Sequence, residues 1–193
     1  MNKQIIIVRD KLKHKLTPKR YEHTIGVMYT CASLAMKYNY DINKAMWAGL
    51  LHDCAKNYSD EEMLKKCNEH NITVTASQMR APYLLHGKLG AFYAKNKYGV
   101  DDDEILNAIE YHTTGRPGMG TLECILFIAD YIEPGRNEKE IPGLDKVRDC
   151  AFNIGLRDAV VMKLENIIGY LNSITDNMDE MTLKTYNYFK EKK

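Results

Sequence analysis

The sequence predicts an all-α protein, a bundle-like or orthogonal packing of about eight helices in a single domain. Three observations carry that prediction. Apolar residues recur at helical spacing, capping signals open the repeats one after another, and almost nothing alternates with the period of two that a half-buried strand requires. The 193 residues suit one compact core, and no repeat, low-complexity tract or linker divides them. The motif-dense part covers about 18–136, with C-terminal helices over 140–193.

Thr17 is placed to cap a helix with Pro18 in its first turn and Tyr21, Ile25, Met28, Ala32 and Ala35 on one side, ending near Tyr38. Asp41 caps a second helix through Ala45, Trp47, Ala48, Leu50 and Leu51, and a break at Asn57-Tyr58 precedes a capping box, Ser59 with Glu62, that opens a third. Residues 72–81 read as a loop. Pro82 suits the first turn of a helix that Gly99 stops, and Asp101 with Glu104 opens another reaching about His112. Residues 113–120, with three glycines and a proline, read as a loop, and a helix over 121–132 is stopped by Pro134-Gly135. Helical patterns follow near 145–152, 156–170 and 180–190.

Lys plus Arg total 27 against 26 for Asp plus Glu, so a formal charge of +1 offers no broad footprint for nucleic acid or an anionic membrane. The longest apolar runs, 5–8 and 124–129, fall far short of the roughly 20 residues of a membrane span. The first residues carry no signal-peptide pattern, which makes the expected location cytoplasmic. Five widely spaced cysteines, none in a C-x-x-C pair, argue against a disulfide framework or a zinc-thiolate site and are expected to be free and mostly buried.

Four of the six histidines, His23, His52, His86 and His112, adjoin apolar helical patterns, whereas His14 and His70 lie among polar residues and read as solvated. The His52-Asp53 pair ends an apolar helix. Asp130 sits inside the apolar run 124–132, where an ionised carboxylate needs a cation, either a metal or an Arg or Lys from a neighbouring helix. Any one of these histidines alone is more simply a satisfied core residue. Taken together with the two carboxylates they form the ligand set of Zn, Mn, Fe and similar ions. Adjacent helical residues diverge by about 100°, so His52 and Asp53 share a centre most easily at a helix end, which is where the sequence puts them.

The order His23, His52-Asp53, His86, His112, Asp130 resembles the extended signature of HD-domain metal hydrolases. The resemblance tightens at Arg20-Tyr21-Glu22-His23-Thr24, at 52–56, at Tyr111-His112-Thr113-Thr114-Gly115-Arg116-Pro117 and at 129–136, which are similar to the YqeK-type hydrolases, symmetrical bis(5'-nucleosyl)-tetraphosphatases. It implies that His23, His52, Asp53 and Asp130 hold one ion, that His86 and His112 hold a second, and that Asp53 bridges them. It further implies iron, in a divalent or mixed-valence pair, and diadenosine tetraphosphate as the nucleotide substrate, split into two ADP. Manganese or zinc would satisfy the same ligands.

Two cations can share and generate a hydroxide at neutral pH and neutralise phosphoryl oxygens during in-line displacement. Lys56, one turn beyond Asp53 if the helix continues, is either a catalytic cation at that site or a solvated lysine. Arg116 and Arg136, in Gly/Pro-flanked loops near expected ligands, are the first choices for phosphate binding, with Arg20 also a candidate; Arg80 and Lys88 read equally as surface charges. Thr113, Thr114 and Glu133 are expected at the mouth, the threonines as donors and Glu133 as a ribose or ligand-supporting partner, with ordinary helix-end roles as the alternative. The rivals are an HD-type hydrolase of a deoxynucleotide, nucleoside monophosphate or cyclic nucleotide, an oxygen-activating di-iron enzyme, and a non-catalytic HD adaptor. The C-terminal amphipathic helices either complete the core or form a homodimer contact.

Overall fold

The computed structural model describes residues 3–174 and 179–191. It is all-helical, with no strand among the described residues, and the eleven α-helices there exceed the expected eight or so: nine answer to the helical patterns set out above, and two do not. The surplus has two sources. Helix α1 (Lys3–Lys15) buries Ile5, Val8 and Leu12 at helical spacing, but Ile6 and Ile7 between them, 36% and 48% exposed, turn the period into an unbroken apolar run. Helix α5 (Ala76–Arg80) replaces part of the expected loop: at five residues it is too short to show a period, yet Thr75 and Gln78 form a capping box around it.

The predicted caps set most other boundaries. Thr17 accepts from the Arg20 backbone N–H at the start of α2 (Pro18–Lys37), Asp41 caps α3 (Ile42–Leu51), and the Ser59–Glu62 box opens α4 (Asp60–Glu69). Pro82 opens a 3₁₀ turn over Pro82–Leu85 that runs directly into α6 (His86–Tyr98), and Gly99 ends it in the left-handed conformation at φ 71°. Helix α7 (Asp103–Tyr111) is capped by Asp102, whose carboxylate accepts from the Glu104 and Ile105 N–H groups, and not by Asp101, whose side chain faces Lys95 instead. Helix α8 (Thr121–Ile132) follows, then α9 (Leu144–Asp149) with a π-helical turn over Cys150–Ile154, α10 (Leu156–Ile174) and α11 (Glu180–Glu191).

Helices α2, α3, α7 and α8 make the centre. Almost every residue of α8 is buried, including Leu122, the run Ile125–Ala129 and Ile132. Helices α10 and α11 complete this core with Ala159, Val160, Leu164 and Phe189. All five cysteines are free and buried, and among the described residues no helix is long and apolar enough to cross a membrane. The packing matters to the site because it brings α3 and α7 against the buried α8, with α6 against α7 and α3.

Candidate metal centre

The four expected histidines sit where helices begin or end, or face the α8 C-terminus. His52 is the C-cap of α3, His112 the C-cap of α7, and His86 the first residue of α6. At such ends backbone carbonyls lack intrahelical partners. His52 Nδ1 donates to the Gly49 carbonyl at 2.7 Å, His112 Nδ1 to Ile109 at 2.7 Å and His86 Nδ1 to Tyr83 at 2.5 Å. His23, on α2, donates from Nδ1 to Glu133 Oε1 at 3.1 Å. A carbonyl or carboxylate oxygen can only accept, so Nδ1 carries the proton in each neutral ring and Nε2 presents a lone pair.

The four Nε2 atoms converge on two carboxylates. His23 and His52 Nε2 lie 3.3 Å apart, with Asp130 Oδ1 at 3.0 Å and 3.7 Å from them and Asp53 Oδ2 at 3.8 Å and 3.4 Å. On the other side His86 and His112 Nε2 lie 3.0 Å apart, and Asp53 Oδ1 is 3.4 Å and 3.7 Å away. Asp53 thus turns one oxygen to each pair. His52 also belongs within ligand reach of Asp53 and His112, so the two groups are contiguous.

Neutral lone pairs at such separations repel unless a proton or a cation lies between them. A proton is a poor filler at the inner pair, because burial, the neighbouring His112 and the Lys56 charge hold the His86 imidazole down to about 3 despite the Asp53 carboxylate. Burial pushes the Asp53 and Asp130 carboxyls up, but the surrounding histidines outweigh it and hold both well below the usual carboxylate range. Anionic oxygens facing imidazole lone pairs are the donor set of a divalent ion, and these six residues could hold two.

The expected supporting residues divide. Arg20 pairs with Asp53 Oδ2 at 2.6 Å, and Arg136 with Asp130 Oδ1 at 3.3 Å, so both stand at the centre. Arg136 comes from the turn that follows α8 itself, not from a neighbouring helix as the arginine alternative for Asp130 requires. Thr113 Oγ1 lies 3.3 Å from both His86 and His112 Nε2. Lys56 reaches the centre by a different route from the one expected: α3 stops at Leu51, and a turn with Lys56 N–H donating to the Asp53 carbonyl puts Nζ 3.2 Å from His86 Nδ1. Glu133 is buried, accepts from His23 and from the Gly135 N–H, and lies so close to Gly26 that a Cβ there would meet its Oε2 at 2.4 Å. That geometry is a support for His23. Arg116 is committed elsewhere: it makes a two-point pair with Glu123 and covers the Tyr111 ring. Thr114 donates to the Gly115 carbonyl. His14 is exposed as expected, but His70 is partly buried and stacks on Phe92 at 4.3 Å.

Two cations escaped the sequence reading. Lys163 of α10 is 3% exposed, donates from Nζ to the Phe127 carbonyl of α8 and lies 3.4 Å from the Phe127 ring centroid; burial lowers it to about 7 although Asp130 pulls the other way. Lys15, at the end of α1, donates to the Cys54 carbonyl beside Asp53. Nothing local marks either one, since their partners are distant in sequence.

The arrangement, histidines and a His-Asp pair on a helical scaffold around one shared carboxylate, defines a metal-dependent phosphohydrolase of the HD type. The HD domain family matches residues 20–135, and the chain belongs to that family. It is 40% identical to a protein of Halalkalibacterium halodurans and 38% identical to one of Bacillus subtilis, both named symmetrical bis(5'-nucleosyl)-tetraphosphatase, over 91% and 92% of each chain respectively. A solved structure from Clostridium acetobutylicum, described as a predicted HD superfamily hydrolase involved in NAD metabolism, superposes with a TM-score of 0.91 at 41% identity, covering 96% of both chains.

Proposed function

We propose that this chain hydrolyses diadenosine tetraphosphate symmetrically to two ADP in the cytoplasm, at a two-ion centre held by His23, His52, Asp53, His86, His112 and Asp130, with iron as the native metal. The observation that carries the reading is the division of Asp53, one oxygen toward His23 and His52 and the other toward His86 and His112. The names of the relatives support the substrate. When bound, two ions supply the charge that activates water at neutral pH and offsets the negative phosphoryl oxygens.

The chain's own residues supply the rest. Backbone carbonyls and Glu133 fix the imidazole orientations, so the ligand set is organised before any ion arrives. Arg20 and Arg136 now neutralise Asp53 and Asp130; with cations on those carboxylates their guanidinium donors are available to phosphate oxygens. Lys56 brings a further positive charge to the His86 side, and Thr113 offers a hydroxyl there, with Thr114 next to it in the lining of the adjoining groove. Arg116 and Glu133 are assigned to support, holding the α8 N-terminus and His23.

The test is to incubate iron-loaded protein with diadenosine tetraphosphate and separate the products by ion exchange. ADP alone is expected. ATP with AMP would move the cut away from the centre of the chain of phosphates, and no product from metal-replete protein would overturn the substrate.

A further inference from the structure

The contacts at the centre form a row, from Glu133 and His23 through Asp130, His52 and Asp53 to His86, His112 and Thr113. A groove opens at each end of that row, and the two share no lining residue. The first, about 500 Å³, is lined by Lys19, Arg20, His23 and Arg136 together with the carboxylates of Glu22, Glu133 and Glu140. The second, about 330 Å³, begins at Thr113 and runs between α5, the end of α7 and the start of α11.

Their chemistry differs. In the first groove two guanidinium groups reach the central carboxylates. Among the described residues, no side chain lining the second groove pairs with those carboxylates. Its two lysines are already engaged, Lys88 by the Thr73 carbonyl and Gln78, and Lys184 by Glu180. The rest of its wall includes Leu84, Met181 and Tyr111, the last with Arg116 over its ring, and its acceptors include Glu110 and Asp179, whose Oδ1 also accepts from the Met181 N–H. Both grooves carry three carboxylates, which repel phosphate, but only the first sets guanidinium groups of the centre against them; an aromatic and apolar wall with a few acceptors suits a purine and the hydroxyls of a ribose.

Resting on the function proposed above, we infer that the groove beside Thr113 is a nucleoside subsite that takes the base and ribose of one half of the substrate, while the phosphates lie over the centre and its arginine side. Recognition of the two halves is then unequal although the substrate is symmetrical. The second groove selects for a nucleoside, and the first for charge.

The experiment fills the second groove from one wall with Ser77→Trp and, independently, from the other with Met181→Trp, neither residue touching the centre. Two constants are read on the metal-loaded protein: KM for diadenosine tetraphosphate, and Ki for inorganic tetraphosphate, which has no nucleoside to place. The expected result is a rise of roughly tenfold or more in KM with Ki unmoved. A KM unchanged in both variants, or a Ki that rises in step with KM, overturns the groove assignment while native turnover upholds the function. Native protein that leaves diadenosine tetraphosphate intact overturns the function itself, and the subsite with it.

Discussion

The two halves of the centre are built differently. The inner half, His86 and His112, is 2% exposed at each ring, and both rings are anchored on main-chain carbonyls three residues back. The outer half is mixed: His52 is fully buried and donates to the Gly49 carbonyl, but His23 hangs on the Glu133 side chain, and Asp130, 22% exposed, is flanked by Arg136. A carbonyl anchor cannot be mutated away, but a carboxylate anchor can. The inner half is therefore the rigid one and the outer half the tunable one, with Asp53 belonging to both.

That comparison can be broken most completely at the shared residue. Asp53→Ala is expected to lower turnover by about three orders of magnitude or more and to empty both halves, as read by elemental analysis alongside kinetics. Retained turnover would remove the two-ion mechanism. His86→Ala and His112→Ala are next: each is expected to leave one ion per chain and cost roughly a hundredfold in rate, and two ions still bound in both variants would contradict the division. Glu133→Gln tests the outer anchor, with an expected loss of about 10- to 100-fold in affinity for one ion while the other titrates as in the native protein. Lys56→Ala is expected to lower kcat by about tenfold with metal content intact, and an unchanged rate would make it a bystander.

The smallest effect concerns the buried lysine behind the outer half. Lys163 is lowered by burial from 10.5 to about 7, so between those values the unfolded chain binds a proton that the folded chain has released. Stability then rises as pH rises from about 7 toward 10.5, and the burial penalty is full below 7. Lys163→Met is expected to flatten that rise in melting temperature by a few degrees; an unaltered pH dependence would show that Lys163 stays charged throughout.

Much of this was legible in the sequence, because its signals are local. Caps such as Thr17, Asp41 and Ser59 act within three residues, and all six expected ligands lie together because each is tied to a helix end or an apolar helix that periodicity reveals. What was hidden acts beyond the three-residue reach of a cap. Arg116 stood in a loop that suggested phosphate binding, but its partner Glu123 lies on the first turn of α8, where it also accepts from the Gly120 N–H. Lys163 read as one more polar position on α10, and only the packing of α10 on α8 buries it. Helix α1 hid its buried face inside an apolar run, and its terminal Lys15 holds the turn that carries Asp53.

The placement of the six proposed ligands has a consequence for how the chain melts. They come from α2, the α3 turn, α6, α7 and α8, which are far apart along the sequence. Ions that bind them close several long loops at once, in the manner of a staple, and they bind the folded chain in preference to the unfolded one. Metal occupancy at the proposed centre would then set the mechanical cohesion of the bundle as well as its chemistry, and stripping the ions is expected to loosen the α6–α7 end to hydrogen exchange before the α2–α3 pair gives way.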